Sequence, residues 1–413
     1  MKAAVVGGGL AGLAAALDLV DGGHHVTVYE ARPTLGGAVQ TLPEREGDPD
    51  PPPDNGQHIA LGCFTEYLRF LARIGEAGSV LRKRLALPVV GESRRVATIS
   101  SNPLSILGYR HLDRGERLAV LRTLLRLRTA TASDGETFGD LLRRLGQSQE
   151  AIDRFWDVFI RPALNLRTDE ASAAVGAFTV RTALLSGRAA ADLVLPVRPL
   201  GAMHGDAAGR ALEAAGANVR TGTRVDSLDD LDADTVVVAV PPAESARLLG
   251  DEPVPLEDSP IVSVHLLFDR PLLRVPLAAM LDSDAHWIFD RGALTGHEPQ
   301  ARGQYLTVVS SGVPELLEIR GRGLVDRIAG QLTERLGAAE LLWSRVSREP
   351  RATVALRPGQ AAVRPGTETR YPNVVRAGTW IDTGWPATME SAVRSGRAAA
   401  RALTAEKTTP IPA

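Results

Sequence analysis

Residues 3–30 read A-A-V-V-G-G-G-L-A-G-L-A-A-A-L-D-L-V-D-G-G-H-H-V-T-V-Y-E, and this stretch decides the fold. Ala3 to Val6 is short, apolar and partly β-branched, as a buried parallel strand requires. Gly7, Gly9 and Gly12 then give G-x-G-x-x-G, and Leu10 to Val20 reads as a helix that Gly22-Gly23 ends. His25 to Tyr29 alternates as a second strand, closed by Glu30. Each residue type has a physical task. Gly7 permits the tight turn, Gly9 lets backbone approach a pyrophosphate, and Gly12 lets helix pack on strand. The free amides at Leu10 and Ala11 and the positive helix end favour phosphate. Glu30 lies 18 residues beyond Gly12, where a carboxylate can accept from ribose hydroxyls. The reading is a dinucleotide-binding βαβ unit.

The rest of the chain sets limits on that unit. At 413 residues two domains are expected, and 44% hydrophobic residues with a mean hydropathy of −0.03 suit a soluble globular protein. A net charge of −2 offers no basis for a nucleic-acid partner. The single cysteine, Cys63, rules out an intrachain disulfide and a cysteine-held metal, and reads as a small buried hydrophobe. A cytoplasmic setting is expected, with redox chemistry supplied by an organic cofactor. Met1-Lys2 and the apolar stretch after it imitate a signal peptide, but the glycines interrupt it and it reads as the first strand. No uncharged apolar run approaches a spanning helix.

Beyond Glu30, Ala31-Arg32-Pro33-Thr34-Leu35-Gly36-Gly37 completes E-x-R-x-x-x-G-G. This pattern resembles the amine-oxidase and phytoene-desaturase superfamily of flavoproteins, which implies that Gly36-Gly37 meets the flavin half of FAD. Asp234 to Pro242 resembles the superfamily's returning strand, and Asn218 to Val225 the hairpin whose backbone near Val225 touches adenine. Ala377-Gly378-Thr379-Trp380 and Pro386 to Gly396 resemble its closing strand, loop and helix. There Gly378, Thr379, Ala387, Thr388 and Met389 would meet the cofactor. A helix N-terminus aimed at the flavin favours negative charge on the reduced ring. At Thr379 the superfamily usually carries an acid, so the resemblance implies a weaker hold on the flavin. No second G-x-G-x-x-G suggests a separate nicotinamide domain.

The fold class expected is α/β: a discontinuous Rossmann-like FAD domain of the glutathione-reductase type beside an α+β substrate domain. The first would comprise residues 1–62, 196–250 and 365–404. The second would comprise 63–195 and 251–364, with 405–413 as a frayed tail. Helical spacing at Phe70/Ile74 and Leu118/Leu121/Leu125 suggests helices in 64–195. The runs Ile261–Phe268, His286–Phe289 and Tyr305–Val309 suggest an antiparallel sheet backed by them. The proline-rich loop from Asp48 to Asp54 reads as surface. Arg114 to Arg128 reads as a packed domain helix, with a basic membrane-surface helix as the other reading.

Asp54-Asn55-Gly56-Gln57-His58, Trp156 to Asn165, Ser259 to Val264, His286 to Arg291 and Asp382 to Thr388 together resemble the hydroxysqualene dehydroxylases over nearly the whole chain. That resemblance implies reductive loss of an allylic hydroxyl from a long polyene, an apolar tunnel for it and an electron donor of unknown identity, while weak peripheral membrane association belongs to the membrane-surface reading of Arg114 to Arg128. A carotenoid desaturase, a flavin amine oxidase or a prenyl-lipid escort protein without flavin chemistry are the alternatives. For the acid that helps hydroxide leave, the candidates are His58, then Asp54, then Asp157. Gln57 would orient substrate or flavin, and Gly56 would lie against the cofactor. His58 titrates near neutrality, as a proton donor should, but a histidine bonded to backbone is the plainer reading.

Overall fold

The computed structural model describes residues 1–296 and 303–405. Of the tail expected from Ala405 onward, residues 406–413 lie outside them. Lys2–Val6 forms the centre of a five-stranded parallel sheet, with His25–Tyr29 and Asn218–Arg220 on one side and Thr235–Val238 and Val374–Arg376 on the other. Val5 sits opposite both Val28 and Val237, so the sheet interior is a continuous valine layer. The helix Leu10–Asp21 is apolar on nearly every side because it is covered on nearly every side. The C-terminal helix Met389–Ala405 crosses it so closely that a Cβ on Gly396 would lie 2.0 Å from the Ala11 carbonyl oxygen.

A seven-stranded sheet forms the second layer system, built around Asp258–Phe268, Gln304–Ser311 and Trp287–Asp290 in antiparallel register. Alternation divides its faces. Val262, Val264, Leu306 and Val308 pack on the helix Gly323–Leu336 through Leu324, Ile328 and Leu332. Ser263, His265, Tyr305 and Thr307 lie at the intervening positions and are buried on the opposite face. The sheet is not purely antiparallel, because Ala86–Val90 joins Leu277–Met280 in parallel. A three-stranded sheet of Ala60–Leu61, Leu193–Pro196 and Val80–Lys83 stands between the two.

Three local expectations are corrected. Asn218–Arg220 is an edge strand followed by a turn at Gly222, with φ of +63°, rather than a hairpin. In the loop from Asp48 to Asp54, Pro51, Pro53 and Asp54 are buried. The Asp48 carboxylate is also sequestered, ion-paired with Arg345. In the helix Arg114–Leu127 the packing face is Val120, Thr123, Leu124 and Leu127, while Leu118 and Leu125 point outward. Helical spacing found the helix but not which of its faces packs.

Candidate functional site

The glycine turn is tightly constrained at two of its three motif glycines. A Cβ on Gly12 would stand 1.9 Å from the Gly7 carbonyl oxygen, and Gly7 itself takes φ of +109°. Only glycine fits either position. Gly9 differs: an added Cβ would meet nothing nearer than the Gly37 Cα at 3.7 Å. Gly9 thus has room for a side chain at ordinary contact distance, and the first turn after it carries no acidic residue and no side-chain cap. The Leu10 and Ala11 amides thus head a helix whose positive end is left to a ligand.

Gly36 and Gly37 lie directly against this turn. Gly36 donates its amide to the Gly8 carbonyl at 2.8 Å, and a Cβ on Gly37 would come within 2.8 Å of the Gly9 Cα. Both take positive φ, +111° and +62°. Two glycine segments 27 residues apart therefore form one smooth backbone surface, as a ligand larger than a mononucleotide requires. Glu30 accepts from the Gly8 amide at 2.7 Å and from the Arg32 amide at 2.8 Å, so its carboxylate fixes the turn and keeps further lone pairs for a hydroxyl. Arg32 reaches the Gly37 carbonyl at 3.5 Å, and Ala31 is exposed beside it. Val225 packs under the sheet with Val6 and Val238. Its carbonyl takes Arg247, while the Thr223 amide bonds the Glu30 carbonyl at 2.8 Å.

Asn55 closes the segment Asp54–His58 onto this surface. Its amide donates to the Gln40 carbonyl at 2.9 Å, and its side chain donates to the Ala38 carbonyl at 2.7 Å. Gly56, Gln57 and His58 are thereby held beside the strip that follows Gly36-Gly37. A Cβ on Gly56 would press on Ser263 Oγ at 2.8 Å. His58 is half-buried, with Nδ1 3.1 Å from the Gly56 carbonyl oxygen. That carbonyl takes the Nδ1 proton and leaves Nε2 as the nitrogen able to exchange one. Burial pushes the His58 pKa below 6.5, against the opposing effects of the Gly56 carbonyl and Asp54.

Asp54 is held by Thr41 Oγ1 at 2.8 Å, the Leu200 amide at 2.9 Å and Arg291 at 2.5 Å. Burial nevertheless raises its pKa, overcoming the pull of Arg291. Arg291 also donates to Gln57 Oε1 at 3.1 Å, fixing that side chain. Around this pair the buried polar atoms Arg291 Nε, Ser263 Oγ, Tyr305 OH and Gln40 Nε2 have no hydrogen-bond partner among the described residues. The continuous glycine surface, the uncapped start of the helix Leu10–Asp21 and the Glu30 carboxylate together fit a large, partly polar cofactor.

The third acid candidate is separate. Asp157 accepts from both the amide and the hydroxyl of Thr168, at 2.7 and 2.9 Å, and burial raises its pKa. Trp156 donates to Gln147 at 2.7 Å, Arg161 to the Ser311 carbonyl at 2.9 Å, and Asn165 takes φ of +52° to end the helix. The Trp156–Asn165 stretch thus fastens a helix to the seven-stranded sheet. Asn55 and Arg291 were present in the quoted motifs but received no role from sequence.

The closing element meets the cradle from the other side. Thr388 Oγ1 accepts from the Ser391 amide at 3.3 Å and starts the last helix at Met389, with Ala387 just before it. Gly378, at φ of +151°, donates to Ser395 Oγ at 2.9 Å. Thr379 gives its carbonyl to Arg364 at 3.0 Å. Glu390, fully buried, caps the helix Thr65–Arg73 by accepting from the amides of Glu66 and Tyr67.

Comparison with known proteins agrees with this architecture. A profile of the flavin containing amine oxidoreductase family matches residues 10–404. The chain is 30% identical to a hydroxysqualene dehydroxylase of Sinorhizobium fredii, over 98% of this chain and 99% of that one. It is 24% identical to a probable zeta-carotene desaturase of Synechococcus elongatus, over 98% of each. The structure of cyclohexylamine oxidase from Brevibacterium oxydans superposes with a TM-score of 0.74 at 18% identity, covering 98% of this chain and 99% of that one.

Proposed function

The chain belongs to the flavin-containing amine oxidoreductases and, within them, to the hydroxysqualene dehydroxylase family; from that premise we propose that it binds FAD and reductively removes the hydroxyl of hydroxysqualene, giving squalene. Reduced FAD, when bound, supplies the hydride equivalent. The chain's own residues do the rest. Gly7, Gly9, Gly12 and the Leu10 and Ala11 amides take the pyrophosphate, Glu30 the ribose, and Gly36-Gly37 the flavin half. Loss of an allylic hydroxyl leaves a delocalised cation, and a proton delivered to the departing oxygen lets it leave as water. His58 Nε2 delivers that proton in this reading, with Asp54 holding the segment in place and Gln57, fixed by Arg291, orienting the reacting end. One proton and one hydride enter; the alcohol becomes a hydrocarbon and water.

The supporting observation is the Asn55 clasp, which holds a titratable ring beside the glycine surface. A desaturase works in the oxidising direction and needs no proton donor for a leaving hydroxyl. Protein with pre-reduced flavin, given hydroxysqualene, phytoene and a polyamine separately, tests the reading. Squalene from the first alone is expected. Turnover of phytoene or of the amine without squalene formation would replace it.

A further inference from the structure

Among the described residues, half of the exposed large hydrophobic side chains lie between Val96 and Leu125. Leu104 is 64% exposed, Leu118 46% and Leu125 68%, values that soluble surfaces normally reserve for isolated residues. Here they are gathered. Val96 lies on the edge strand Val96–Ser100 of the seven-stranded sheet, and Leu104 and Leu107 on the short helical turn Pro103–Gly108. Leu118 and Leu125 are seven residues apart on the helix Arg114–Leu127 and so share one face. Arg117 donates to the Leu107 carbonyl at 3.0 Å and to the Leu112 carbonyl at 2.8 Å, binding the turn to the helix.

The charges around these leucines are equally unusual. Residues 94–128 hold eight arginines and two carboxylates, Asp113 and Glu116, in a chain whose net charge is −2. Elsewhere many surface arginines are matched by acids, as in Arg73–Asp21, Arg82–Asp192 and Arg327–Asp284. None of the eight has an ion-pair partner among the described residues. On the helical wheel Arg114, Arg122 and Arg128 flank Leu118 and Leu125, all five exposed.

We propose that this face, comprising the Val96 edge strand, the Pro103–Gly108 turn and the Arg114–Leu127 helix, docks on an anionic phospholipid surface. Leucines enter the interface while arginine stems lie along it and their guanidinium heads meet lipid phosphates. Unmatched positive charge specifies an anionic partner, and leucines flanked by arginines fit the boundary between headgroup and acyl chain. Among the described residues no helix is long and apolar enough to cross a membrane, so the attachment is to one leaflet. The inference stands on the surface alone and does not depend on the substrate assigned above.

The test is flotation of the flavin-loaded full chain with vesicles of phosphatidylcholine, with and without phosphatidylglycerol, neither containing any isoprenoid. Binding is expected only to the anionic vesicles, falling as salt is raised. Leu118→Gln with Leu125→Gln should weaken partition at least about tenfold, as two lost apolar insertions imply, and Arg114→Gln with Arg122→Gln and Arg128→Gln by about the same factor or more. All five side chains are exposed, so flavin absorbance and thermal unfolding should not change. Absence of binding at low salt, equal binding to neutral vesicles, or unaltered binding by both variants would overturn the proposal. So would a concentration-dependent dimer that the leucine variant abolishes while vesicles remain unbound.

Discussion

Arg291 Nη2 stands 2.5 Å from Asp54 Oδ2, and each side chain is only 2% exposed. Burial raises the Asp54 pKa even with the guanidinium in contact, so the pair itself contributes little net stability. Breaking it is a different matter. Arg291→Leu strands a buried carboxylate and should lower the unfolding free energy by about 3–5 kcal/mol in urea titration. Adding Asp54→Asn should recover part of that loss. A single-variant loss below about 1 kcal/mol would show that water already reaches the pair.

Two glycines of one motif should fail differently. Gly12→Ala puts a Cβ 1.9 Å from the Gly7 carbonyl oxygen and should prevent folding. At Gly9 the nearest atom would be 3.7 Å away, so Gly9→Val should fold normally yet fill the cradle and purify colourless. Circular dichroism and flavin absorbance separate the outcomes. A yellow Gly9→Val protein would move the phosphates elsewhere.

His204 is fully buried, with Nδ1 2.8 Å from the Leu200 carbonyl oxygen and Nε2 2.8 Å from the Tyr67 hydroxyl. If Nδ1–H donates to the carbonyl, Nε2 must accept from tyrosine and cannot carry a proton. Burial lowers its pKa to about 4, against about 6.5 in the unfolded chain, so the folded state binds fewer protons. Its contribution to stability is complete above pH ~6.5 and is lost as pH falls towards ~4, roughly 3 kcal/mol in all. His204→Asn should flatten melting temperature against pH across that window. An unchanged slope would assign acid sensitivity to other groups, such as His265, whose pKa burial lowers to about 3.

What the sequence disclosed was what neighbouring residues determine. The turn at Gly7–Gly12 and the strands flanking it are set by residues within 30 positions, and they stand as read. The Arg291–Asp54 contact joins positions 237 apart, and no local pattern marks an arginine in Trp287–Arg291 as the partner of an acid in a proline-rich loop. The same loop reads as exposed because proline and aspartate normally are; Arg345, on the strand Leu341–Val354, and Arg291, at the start of a short helix, sequester two of its three acids instead. At Leu118 and Leu125 spacing alone could not tell a packing face from an outward one, because both faces of that helix carry leucine.

Thr379 is partly exposed, and its carbonyl is held by Arg364, which also donates to the Trp385 carbonyl at 2.7 Å. The backbone at 379 is therefore fixed whatever side chain it carries. Thr379→Asp should tighten flavin binding by about 1 kcal/mol, the scale of one added charge-assisted hydrogen bond. Titration of apoprotein with FAD measures it. Unchanged affinity would mean that the new carboxylate turns to Arg364 rather than to the cofactor.

His58 carries the sharpest expectation. With Nδ1 committed to the Gly56 carbonyl, proton delivery falls to Nε2, and only the imidazolium can deliver. Burial holds the pKa below 6.5, so the imidazolium is scarce at neutral pH but a stronger acid when formed. Turnover with pre-reduced flavin should therefore rise as pH falls through that lowered pKa, and decline as pH rises above it. His58→Ala should remain yellow and folded, lose about a hundredfold in turnover, and lose the acid-side rise as well. A histidine serving only to brace the Gly56 carbonyl would change stability without removing that limb. Turnover near that of the unaltered protein, with the pH profile intact, would shift proton delivery to another group, Asp54 being next in line.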